Sequence, residues 1–185
     1  MTENLRDLQQ LQGAVASGAR PAYLLFWQHT SAIRGETGKE CLSQWYGSRF
    51  EIEGVVFKTA EHYMMHRKAL LFGDRERAER ILCAPDPAEA KAHGRSVRGF
   101  SETVWREHRS RICIAGNYAK FSQCTPLREF LLHTNPRVLV EASPVDLVWG
   151  IGLSAEHEHA SDPLKWRGQN LLGFALMEVR DRLVD

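Results

Sequence analysis

No C-x-x-C pair occurs in this chain of 185 residues, and its four cysteines (Cys41, Cys83, Cys113, Cys124) lie far apart. A chain of this size buries most of its apolar surface without staples, so reduced thiols and a cytoplasmic location are the expectation. Long apolar runs are also missing. The longest, such as YLLFW, fall far short of the roughly 20 residues that span a bilayer, so no membrane partner is expected. Charge of one sign is absent as well. The formal net charge is +1, which gives no global field for gripping long nucleic acid or an anionic surface. The opening MTENLRDLQQLQ is polar, without a basic segment leading into an apolar one, so a secretory signal is not expected. There is no internal repeat, no low-complexity tract and no serine or cysteine on a G-x-S-x-G turn.

What is present is helical punctuation. Thr59 is placed to cap a helix through Phe72, with Glu61 in its first turn, where the helix dipole favours a carboxylate. Asp74 opens the next helix. Asp86-Pro87-Ala88-Glu89 combines an N-cap, a first-turn proline and a capping-box glutamate. Ser101 starts a long helical pattern and Thr125-Pro126 another. Residues 4–16 read as a short helix, and KWRGQNLLGFALMEVRDRLV as a closing amphipathic helix. Strand signals are few: AYLLFW, a hairpin in RFEIEGVVF around Glu53-Gly54, and RVLVEAS. Residues 28–40 read as a polar loop. The pattern predicts a predominantly helical α+β domain with a small β-sheet, residues 1–21 being an extension and 22–185 the domain proper.

Gly150-Ile151-Gly152-Leu153-Ser154-Ala155 fits the dinucleotide fingerprint G-x-G-x-x-G/A letter for letter. Its context does not. The stretch before it, ASPVDLVW, is a weak strand, and EHEHASDP after it has no apolar period for a helix on a sheet. The glycines read instead as a sharp turn with close backbone approach, Trp149 offering a ring face and Asp146 a carboxylate.

Metal is not expected. His62 and His66 share a helix face but lack the H-E-x-x-H order, and His157 and His159 sit in a polar loop, so surface or core-edge histidines are the reading. Glu61, Met65, Lys68 and Phe72 step by four, three and four, placing them on one face. Glu61 and Lys68 are then roughly 10 Å apart along the axis, room for a small substrate between a carboxylate and an amine. Apolar neighbours there would desolvate both groups. Arg95 and Arg98, followed by Gly99, have geometry for a phosphate, while Arg106, Arg109 and Arg111 read as a solvated face.

The blocks LSQWYGSRFEIEGVVFKTAEHYMMHRKALLFGD, AKAHGRSVRGF, KF, LVEASPVDLVWGIGL and WRGQNLLGFALMEVR together resemble the NADAR (YbiA-like) family, in order and spacing, from about Phe26 to Leu183. Gln44 departs from the asparagine of the family pattern, which puts a substrate contact from that position in doubt. The resemblance implies an N-glycosidase without cofactor. It implies two related substrates, the ribosylamino-pyrimidine phosphates that begin riboflavin synthesis and ADP-ribose on the exocyclic amine of guanine in DNA. A non-catalytic module binding NAD or ADP-ribose is the alternative of another class.

Carried onto this chain, the resemblance implies these roles. Glu61 is the general acid/base, and Lys68 the electrophilic partner or Schiff-base nucleophile. Asp146 orients a ribose hydroxyl or stabilises C1′. Trp149 stacks on base or sugar, Gly150 and Gly152 give backbone access, and Asn170 hydrogen-bonds ribose or base. Arg95 contacts phosphate and Trp45 walls the pocket.

Overall fold

A computed structural model describes residues 5–30 and 36–184. In chain order these form α1 (Leu8–Ala16), β1 (Tyr23–Phe26), β2 (Phe50–Ile52), β3 (Val55–Phe57), α2 (Ala60–Leu71), α3 (Arg75–Cys83), α4 (Pro87–Arg95), α5 (Glu102–Ser122), α6 (Thr125–Leu132), β4 (Val138–Glu141) and α7 (Leu171–Arg182). Helices dominate, as the punctuation predicts. The chain separates into two compact units, one of Gln44–Thr125 and one of the described residues on either side of it.

In the Gln44–Thr125 unit, Glu53 and Gly54 both adopt positive φ and close the β2–β3 hairpin, pairing Ile52 with Val55. Four predicted caps are in place. Thr59, Asp74, Asp86 and Ser101 accept from the backbone N–H groups of His62, Arg77, Glu89 and Val104. The helix α2 packs against α3, α4 and α5, so most of its residues are buried. Phe57 stands edge-on to Tyr63 at 5.1 Å and to His66 at 5.4 Å, tying the hairpin to α2.

In the other unit, β1 and β4 pair in parallel, Tyr23 opposite Val138 and Phe26 opposite Glu141. The expected small sheet is thus two separate two-stranded pairs. Val138, Leu139 and Val140 are fully buried, and α7 covers β4. Within α1, Leu11 is buried, and Gln12 Nε2 donates to the Pro163 carbonyl at 2.9 Å, tying the helix to the short turn Pro163–Lys165. The closing helix differs from its expected form in two ways. It starts at Leu171 rather than near Lys165, and it is buried on most sides rather than amphipathic. The residue before it, Asn170, is left-handed (φ 54°), a conformation that breaks the helical run. The loop expected over 28–40 gives way to a short 3-10 helix from Lys39, and residues 31–35 lie outside the described residues.

Candidate active site

Trp45, Glu61, Lys68 and Arg95 belong to the Gln44–Thr125 unit, whereas Asp146, Trp149, Gly150, Gly152 and Asn170 belong to the other. In the first, Thr59 caps α2 and sets Glu61 in its first turn, where the Glu61 N–H donates to the Gln44 carbonyl at 3.0 Å. Glu61 is only 3% exposed. Lys68 lies two turns on. Its Nζ sits 4.3 Å from the centroid of Phe100 and 5.5 Å from that of Trp105. Burial pushes the Lys68 ammonium below its usual range. The negative charges of Glu102 and Glu61 pull it back up, and the Arg95 guanidinium presses it further down. The expected face therefore exists, with a buried carboxylate and a half-desolvated amine within each other's field. Trp45 is half-buried, and the Lys91 ammonium lies 5.7 Å from its ring centre.

The expected phosphate pair does not form. Arg95 is exposed at the end of α4, but Arg98 lies beyond that helix and is held by Asp74, with Nη2 to Oδ1 at 2.7 Å and Nε to Oδ2 at 3.2 Å. A guanidinium so engaged is not available to phosphate. Arg109 is another departure: it is 5% exposed, with Nη1 3.8 Å from Glu102, and so does not belong to a solvated face.

In the other unit, Asp146 Oδ1 accepts from the N–H groups of Val148 at 2.8 Å and Trp149 at 2.7 Å. One carboxylate oxygen thus folds the loop, leaving Oδ2 for another donor. Trp149 is half-buried. The glycines serve the loop itself. A Cβ on Gly150 would sit 2.9 Å from the Glu141 carbonyl oxygen, and one on Gly168 would collide with the Gly150 carbonyl oxygen. Gly152 adopts φ +69°. No helix follows β4 directly, which removes the dinucleotide-loop reading. Asn170 is fully buried, its Nδ2 donating to Leu139 O and its Oδ1 accepting from Glu141 N–H, each at 2.9 Å. Both ends of the Asn170 amide thus bond the backbone of β4 and tie the start of α7 to that strand.

The α2 histidines are core groups rather than surface ones. His62 is held by Thr59 Oγ1 at 2.8 Å and by the Ala84 carbonyl at 3.2 Å, and burial lowers the pKa of both His62 and His66. Among the described residues no group of three or more His, Cys, Asp or Glu is placed to hold a metal ion, and no helix is long and apolar enough to cross a membrane.

Two features escape the sequence reading. A cavity of about 260 Å³ lies at the carboxyl ends of β1 and β4, lined among others by Trp27, Gln28, Lys39 and Glu156. Trp27 is 48% exposed and offers a ring face there. The exposed tryptophan just after a strand is the signal that marks it. The second feature is the environment of Gln44, which the sequence marks only as a departure from the family pattern: it is buried, with its side-chain oxygen lacking a partner.

The helix-rich α+β fold described above is similar to that of the E. coli protein YbiA. The NMR structure of that protein matches 90% of this chain and 87% of its own length, with a TM-score of 0.71 and 25% sequence identity. The NADAR domain pattern matches residues 25–184, and the chain belongs to that family. It is 41% identical over 155 residues to the N-glycosidase R617 of Acanthamoeba polyphaga mimivirus, covering 81% of this chain and 91% of the relative. It is 32% identical over 133 residues to the N-glycosidase YbiA of Escherichia coli, covering 72% and 74%.

Proposed function

We propose that this chain is a hydrolase of N-glycosyl bonds that cleaves between ribose C1′ and an exocyclic amine, as in the ribosylamino-pyrimidine phosphates of early riboflavin synthesis. The general activity is the one its relatives bear by name. The observation that carries the finer reading is the pairing of buried Glu61 with half-desolvated Lys68 on one face of α2.

Cleavage needs a proton on the departing nitrogen and an answer to the positive charge that grows at C1′. Glu61 supplies the proton and then takes one from the incoming water. The C1′–N electron pair leaves with nitrogen, and the water oxygen bonds to C1′. In the alternative route the ribose ring opens to an imine, the Lys68 amine adds to C1′ and the protonated exocyclic amine leaves with the C–N electron pair, after which water hydrolyses the Lys68 Schiff base and releases the sugar. Trp45 walls the pocket, and Arg95, free of ion pairs among the described residues, meets the phosphate.

ADP-ribose on guanine in DNA is the alternative substrate, since it offers the same bond from ribose C1′ to an exocyclic amine.

The test is direct. The protein is incubated with a ribosylaminopyrimidine 5′-phosphate and with ADP-ribosylated guanine DNA, and released ribose 5-phosphate or ADP-ribose is followed. Glu61→Gln is expected to slow release roughly a hundredfold or more. If Glu61→Gln matches the parent protein while ADP-ribose still binds, the chain is a binding module.

A further inference from the structure

Gln44 is 6% exposed, and its amide makes one hydrogen bond, from Nε2 to Asn117 Oδ1 at 3.0 Å. Asn117 is fully buried, and its Nδ2 donates to the Cys113 carbonyl at 2.9 Å. This chain of donors runs one way only. The Cys113 carbonyl can only accept, so Asn117 must turn its NH₂ towards it and its oxygen towards Gln44. Gln44 must then turn its NH₂ to Asn117, which leaves Oε1 as the outward end of the relay. That oxygen is buried and has no partner. A buried acceptor of this kind is costly to leave unmet, and its orientation cannot be reversed without losing either the bond to Asn117 or the bond from Asn117 to the Cys113 carbonyl. The backbone of the same residue accepts from Glu61 N–H at 3.0 Å. Gln44 is thus anchored at the turn of α2 that carries the proposed acid.

We infer that Gln44 is a specificity-determining residue, its Oε1 accepting a hydrogen bond from the N–H of the nitrogen that leaves C1′. This rests on the proposed reaction and narrows it. An exocyclic ribosylamine carries a hydrogen on that nitrogen. An ordinary nucleoside, bonded through a ring nitrogen, has none and leaves the acceptor stranded, which disfavours it. The bond also strengthens as the reaction proceeds. Protonation by Glu61 gives the nitrogen positive charge and a second hydrogen, and an N–H on a charged nitrogen binds an amide oxygen more tightly than a neutral one.

The test compares a ribosylaminopyrimidine 5′-phosphate with its counterpart methylated on the anomeric nitrogen, in the parent protein and in Gln44→Met, which keeps the side chain's length without its acceptor. The parent is expected to prefer the N–H substrate by roughly ten- to a hundredfold in kcat/KM, a preference that collapses in Gln44→Met. Gln44→Asn, which withdraws the oxygen by one methylene, is expected to fall between them and guards against misfolding of the first variant. Hydrolysis with the same preference in all three proteins overturns the inference alone. No hydrolysis of either substrate by the parent removes the underlying reaction, and the inference with it.

Discussion

The ammonium of Lys68 lies 4.3 Å from the centre of the Phe100 ring, closer than to any other ring around it. An aromatic face attracts the cation, yet the same apolar wall strips water from it. For Lys68 the loss of water wins, and its proton is released below the ordinary value of 10.5. An amine in that state can act as a nucleophile at a pH where a solvated lysine is fully charged.

Activity is expected to rise with pH through the lowered value of Lys68 and to level off before 10.5, as read from a kcat profile. Lys68→Arg retains a charge but has no amine to give, and its rate should fall roughly a hundredfold or more. Borohydride added during turnover should leave an adduct on Lys68 in the parent and none in Lys68→Arg. Trapping that yields no adduct in the parent removes the imine route.

Stability should follow the same titration. Between the lowered folded value and 10.5 the unfolded chain binds more protons at Lys68 than the folded one. Stability therefore rises with pH across that window, and below it the burial cost is present in full. Denaturant unfolding of the parent against Lys68→Met, repeated at several pH values, measures this contribution, which should vanish in the variant.

Phe100→Ala opens Lys68 to water. The rising limb of the pH profile is expected to move to higher pH while the fold is retained, since Phe100 is itself 43% exposed. A profile that does not move would mean that Phe100 does not govern the lysine.

Asn170→Ala strips two backbone groups of β4, Leu139 O and Glu141 N–H, of their partner. Each unmet buried group costs about 1–3 kcal/mol, so a loss of roughly 2–5 kcal/mol is expected in urea unfolding. Asn170→Asp keeps the acceptor for Glu141 and should lose less.

Gly168→Ala sets a methyl group against the Gly150 carbonyl oxygen and the Leu147 backbone. Both are main chain and cannot swing aside, so a loss of about 1–3 kcal/mol is expected, with faster amide exchange across residues 146–152.

Legibility in the sequence followed the range of each interaction. Thr59, Asp74, Asp86 and Ser101 could be read as caps because each meets a backbone group three residues on. The Glu61 and Lys68 face could be read because helical periodicity sets it. Arg98 was open to misreading because its partner Asp74 lies on the far side of two helices in sequence, so a guanidinium that looked free is spoken for. Asn170 and Gln44 were opaque for the same reason. Their amides bond to Leu139, Glu141 and Asn117, none of them near in the chain. Gly150 and Gly152 announced a tight loop correctly, but the close neighbours are the Glu141 carbonyl of β4 for the first and the Leu147 side chain for the second, which spacing alone does not reveal.

The parallel pairing of β1 with β4 has a consequence for how the molecule is made. On the ribosome Leu24 and Phe26 emerge long before Val138 to Glu141, so β1 waits without its strand partner through most of synthesis. The residues from Gln44 to Thr125 meanwhile have all their mutual partners to hand once Thr125 appears. Assembly therefore starts in the middle of the polypeptide, and the two flanking pieces close last.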